Sequence, residues 1–241
     1  MTPPIPSDLQ SAFTLVLSQL RQSFGEDLIG VYALVQDQPH VIAVIEKAMA
    51  DEQRASLAAA YRHTLNRDIG LSIFTSEQLQ QGYPYESDLD YDPDLNRDLE
   101  GEIKPTPDIS DLTLTNTALL RVLHHRGHVL AGQPIREALP AVQDEDYRIV
   151  LQHEAERRLP QLHAAPPETI LNLCRILAFW RIGLVLATED AGAWSLKNLD
   201  PRFQTLIERA SIEHQSAAEP GAYNAYQLDQ FAEYVRDMLR R

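Results

Sequence analysis

Apolar residues recur at Leu9, Phe13, Leu15, Val16 and Leu20 with near-helical spacing, which predicts a helix over residues 7–23 with Ser7 capping its first turn. The pattern then changes period. Residues 28–35 and 40–45 are runs rich in Val and Ile, separated by Gln36-Asp37-Gln38-Pro39, and they read as two strands joined by a tight turn. An Ala-rich stretch over 51–65 carries Leu57, Tyr61 and Leu65 in one stripe, so a helix is expected there, and 69–74 reads as a third strand. The order helix, strand, strand, helix, strand implies a small mixed sheet covered by helices on one side.

Between residues 82 and 111 the chain turns acidic and poor in aliphatic residues, with prolines at 84, 93, 105 and 107, and reads as a lid-like loop. Asp88-Leu89-Asp90-Tyr91-Asp92 has the alternating carboxylates of a calcium loop. The match fails, because Pro93 stands where the turn needs glycine and Leu99 where the twelfth ligand would be glutamate. A helix is expected over 112–125, ended by Arg126-Gly127. Beyond a boundary near 140–144, helical periodicity takes over in segments 146–159, 167–181, 189–196, 201–211 and 226–241. The expected class is α+β: a mixed sheet with helices, followed by an all-α helical bundle.

Charge and chemistry narrow the possible functions. A formal charge of -14 opposes nucleic-acid binding by phosphate neutralisation and favours cationic ligands. The start, Met1-Thr2-Pro3-Pro4-Ile5-Pro6, has neither a basic region nor an apolar run, so no signal peptide or membrane span is expected. A single cysteine, Cys174, allows no internal disulfide and suits a cytoplasmic location. Cys174 lies on the stripe Ile170, Leu173, Leu177 and Trp180, which assigns it to the core. His124, His125 and His128 suggest zinc by spacing, but Gly127 breaks the shared face and no fourth ligand is near.

A resemblance adds to this reading. Asp111-Leu112-Thr113-Leu114 through His125, followed by Gly127-His128-Val129-Leu130-Ala131-Gly132-Gln133-Pro134, resembles the end of the nucleotidyltransferase domain in aminoglycoside adenylyltransferases. Leu171-Asn172-Leu173-Cys174-Arg175-Ile176, then Gly183, Asp190, Trp194, Leu199 and the segment 206–210, is similar to the C-terminal domain of the streptomycin and spectinomycin enzymes. The resemblance implies a nucleotidyltransferase-like domain over 1–142 and a helical domain over 143–241.

It also implies a site. In that family a Gly-Ser pair follows the first strand, two aspartates spaced one apart on the next strand hold magnesium, and a third carboxylate lies on a later strand. Magnesium neutralises the triphosphate of ATP while a base takes the proton of the attacking hydroxyl. In this chain Val35 and Gln36 stand at the Gly-Ser positions, the aspartate pair falls within Pro39-His40-Val41-Ile42, and the third carboxylate falls on Gly70. The main expectation is therefore a catalytically degenerate, non-catalytic binding or regulatory module with no catalytic residue, metal or cofactor. The alternative is an ATP- and magnesium-dependent O-nucleotidyltransferase acting on an aminoglycoside or other cationic small molecule, with Asp37, Glu46 and Asp68 as relocated acids. A third reading docks the acidic loop 86–111 on a basic partner. By analogy a substrate cleft between the halves is expected to bring Asp88, Asp94, Glu154 and Glu168 near a cation.

Overall fold

The computed structural model describes residues 4–35, 38–64, 69–91, 109–216 and 221–240. The chain divides into two compact units, Met1–Asp146 and Tyr147–Arg241.

The first unit is built on five strands: β1 (Leu28–Leu34), β2 (His40–Ile45), β3 (Gly70–Thr75), β4 (Leu89–Tyr91) and β5 (His128–Gly132). Their order across the sheet is β4-β3-β2-β1-β5, with β2 and β3 parallel and the other neighbours antiparallel. Two strands lie outside the expected three. β4 is a three-residue edge strand inside the stretch expected to be a loop, and β5 follows directly on a helix. Both are too short for alternation to register in the sequence, and pairing with β3 and β1 is what makes them strands.

Helices cover the sheet on both faces, where the sequence suggested one. On the first face Val31, Ala33, Val41, Ala43, Ile45, Leu71 and Ile73 pack with Phe13, Val16 and Leu20 of the Ser7–Phe24 helix and Leu57 and Tyr61 of the Asp51–Thr64 helix. The alternate residues Tyr32, Leu34, Ile42, Val44, Ser72 and Phe74 are buried as well. The Ile109–Arg126 helix, with Leu120 and Leu123 buried, lies on that second face and reaches Ser72 through Asn116. Strands buried on both faces read as continuous apolar runs, as the Val- and Ile-rich segments do. At the chain start Pro6, not Ser7, occupies the capping position; its carbonyl accepts the amides of Leu9 and Gln10, and Ser7 is the first helical residue.

The second unit consists of helices, with Pro166–Ile182 as its buried axis. That helix stops at Gly183, which adopts φ 67° and donates its amide to the carbonyl of Phe179 at 2.7 Å, a left-handed cap that glycine accepts without strain. Leu173, Ile176 and Leu177 are fully buried, as their spacing predicts. Trp180, expected on the same stripe, is only partly buried: it lies under the Arg148 guanidinium at 5.2 Å, and the aromatic centre is instead Phe179 edge-on to Tyr147 at 4.7 Å. An indole is large and carries an N–H that needs a partner, which favours the unit's surface over its axis. Phe203 packs on Phe231 at 5.2 Å, fastening the Ala225–Leu239 helix.

Cys174 is buried, and burial pushes its thiol up to about 12, with the nearby Ser195 hydroxyl opposing. The native protein should therefore resist alkylation until denaturant is added; native-state labelling faster than global unfolding would contradict the core assignment. Leu173→Ala should cost about 2–5 kcal/mol, because the site is sealed and relaxes poorly around the cavity. Urea denaturation followed by circular dichroism measures this loss.

Candidate functional site

Parallel pairing of β2 with β3 sets His40 directly beside Gly70 and Ile42 beside Ser72. These rows lie at the end of the sheet where β1 finishes and β2 and β3 begin, on the face opposite the main core cluster. The register therefore gathers the positions that the family resemblance assigns to the metal-binding acids. They carry an imidazole, a branched alkyl group and no side chain. The absence at Gly70 is structural, because a Cβ there would overlap the His40 ring. The imidazole occupies the space in which a side chain on β3 would have to start.

His40 begins a buried polar chain. Its Nε2 lies 2.9 Å from Ser72 Oγ, and Ser72 Oγ donates to Asn116 Oδ1 at 3.4 Å. That direction makes Nε2–H of His40 the donor to Ser72. Asn116 Nδ2 in turn faces Ser87 Oγ at 3.2 Å, Asp90 Oδ2 at 3.3 Å and the Tyr85 carbonyl at 3.4 Å, and Ser87 Oγ also donates to Asp90. Asp90 is directly opposite Ser72 in the β3–β4 ladder. A buried network of this kind orients β2, β3, β4 and the Ile109–Arg126 helix, and each member is costly to remove. Sequence reasoning missed it, because Ser72 and Asn116 sit in apolar contexts that carry no motif.

Of the acids proposed from sequence, Glu46, Asp88, Glu154 and Glu168 are among the described residues. Asp37, Asp68 and Asp94 lie outside the described residues. Glu46 follows the last residue of β2, so it is at the opposite end of that strand from His40, and its amide bonds the Asp27 carbonyl. Asp88 is in an ion pair: one carboxylate oxygen lies 3.0 Å from Arg54 Nη2 and the other accepts the Met49 amide at 2.9 Å. Glu154 meets Arg175 at 2.5 Å, and Glu168 meets Arg158 at 2.7 Å. Each of these three carboxylates has an arginine as its counter-charge. His124 Nε2 lies 2.7 Å from the Pro140 carbonyl, and burial, then the Arg121 charge, lowers the His125 pKa. Among the described residues no group of three or more His, Cys, Asp or Glu side chains is placed to hold a metal ion.

The contact between His40 and Gly70 predicts a coupling. Gly70→Ala should destabilise the protein by about 1–3 kcal/mol through overpacking, and most of that loss should vanish in a His40→Ala background. Additive effects in the double-mutant cycle would show that the ring does not fill the site.

Residues 137–238 match the family model for the aminoglycoside adenylyltransferase C-terminal domain. No curated protein sequence matches the chain. Among solved structures, spectinomycin adenyltransferase AAD(9) from Enterococcus faecialis, crystallised with ATP and spectinomycin, is similar at a TM-score of 0.72 and 18% identity. The similarity covers 96% of this chain and 99% of that one, and it establishes the fold. The chain is thus aminoglycoside adenylyltransferase-like: it matches the model of that family's C-terminal domain over residues 137–238 and shares the fold of a spectinomycin adenyltransferase over nearly its whole length.

Proposed function

We propose that this chain is a catalytically degenerate nucleotidyltransferase-like protein, a non-catalytic binding or regulatory module that recognises a small molecule without transferring a nucleotide to it. The observation that carries this reading is the His40–Gly70 pair. Magnesium takes oxygen ligands in octahedral geometry and is held by carboxylates together with substrate phosphates. An imidazole committed to Ser72, the alkyl side chain of Ile42 and a glycine whose side-chain space is filled do not fit that ion. Two aspartates that would attract the metal by several kcal/mol in a half-buried site have no counterpart there.

A cationic small molecule is the ligand class favoured by the charge of -14 and by the spectinomycin in the similar structure. Recognition would rest on general potential and shape more than on Asp88, Glu154 or Glu168, whose charges are already offset by Arg54, Arg175 and Arg158. No helix among the described residues is long and apolar enough to cross a membrane.

Calorimetric titration with ATP and magnesium should give no saturable heat, and intact-mass analysis of an aminoglycoside panel incubated with both should show no nucleotidyl adduct. In these two assays the Asp68→Ala and Glu46→Ala variants should behave as the parent does. Micromolar ATP binding that disappears in either variant would establish the alternative enzyme instead, with relocated acids holding the metal.

A further inference from the structure

A cleft of about 520 Å³ opens in the first unit at the far end of the sheet from His40, where β1 begins and β2 and β3 finish. Its size falls within the usual range for small-molecule sites. Buried Leu79 and Leu139 contribute an apolar floor, and the exposed side chains of Glu46, Gln80, Arg136 and Glu137 line the rim. Asp88, Glu154 and Glu168 are already paired with arginines; among the described residues, these four rim side chains form no hydrogen bond or ion pair. Their charges do register in the surroundings: Glu137 adds to the burial that raises the Tyr32 hydroxyl to about 12.

The rim therefore presents two carboxylates, one guanidinium and one amide around a short apolar surface. A ligand that answers all of them carries one carboxylate, two cationic groups and a methylene stem. We propose that this cleft binds a basic α-amino acid, with its carboxylate on Arg136, its two cationic groups on Glu46 and Glu137, and its stem over Leu79 and Leu139. Arginine pairs with carboxylate through two parallel N–H bonds, which gives this contact its geometric selectivity. The site is independent of the His40 end of the sheet, so it stands or falls apart from the reading of the degenerate centre.

Titration of the full chain with L-arginine, followed by ligand-observed NMR and calorimetry, tests the assignment. Saturable binding is expected, weakened at least tenfold for agmatine, which lacks the carboxylate, and for L-norleucine, which lacks the side-chain cation. The Arg136→Gln variant should lose at least tenfold for L-arginine while binding agmatine as the parent does. Glu46→Gln should weaken both. These side chains are exposed, so unchanged melting midpoints are expected and separate lost binding from lost folding. Absence of saturable L-arginine binding by the parent, or equal affinity in parent and Arg136→Gln, overturns the proposal.

Discussion

The parallel alignment of β2 with β3 is the constraint on which the rest of the first unit depends. It pairs His40 with Gly70 and Ile42 with Ser72, and so decides what occupies the end of the sheet where β2 and β3 begin. The His40 ring can lie across β3 only because Gly70 has no side chain, and Gly70 can accept no side chain while the ring is there. The same register aims Ser72 at Asn116 and sets Asp90 opposite Ser72. A buried serine or asparagine without partners costs about 1–3 kcal/mol, so once Ser72 and Asn116 are inside, the hydrogen bonds that satisfy them select this one arrangement of strand and helix.

Electrostatics follow the same logic of local satisfaction. A protein of charge -14 offers many carboxylates, and among the described residues Asp88, Glu154 and Glu168 each have an arginine beside them. Asp88 is almost fully buried, and Arg54 and the Met49 amide compensate its desolvation. This pair ties the Asp51–Thr64 helix to the chain entering β4. Breaking such a pair is far more costly than its net contribution suggests, since one charge would be left without an answer. Glu168 and Arg158 are more exposed, and their bond adds little to stability. Around the cleft lined by Glu46, Arg136 and Glu137, by contrast, the charged side chains have no ion-pair partner among the described residues.

The second unit is organised by apolar burial along a single helix. Leu173, Cys174, Ile176 and Leu177 leave no exposed surface, and the thiol of Cys174 is correspondingly kept protonated. Such a core keeps its identity through changes in surface chemistry, because close packing penalises nearly any change of volume inside. That is consistent with residues 137–238 retaining a recognisable family pattern.

The sequence by itself determined the main helices, the three longer strands, the switch to an all-helical second half and the stripe around Leu173, because each rests on a periodicity that local spacing expresses directly. It also placed Val35, Gln36 and Gly70 where the family resemblance expects its motif, since a motif is a property of order along the chain. Tertiary structure alone decided the rest. β4 and β5 are strands only because neighbours pair with them, and the helix over the second sheet face is placed by long-range packing. Phe179 took the axial position over Trp180, because size and an indole N–H count only once the surroundings exist. The meeting of His40 with Gly70, thirty residues apart in sequence, is fixed by strand register, which arises from the pairing of whole strands and leaves no mark at either residue.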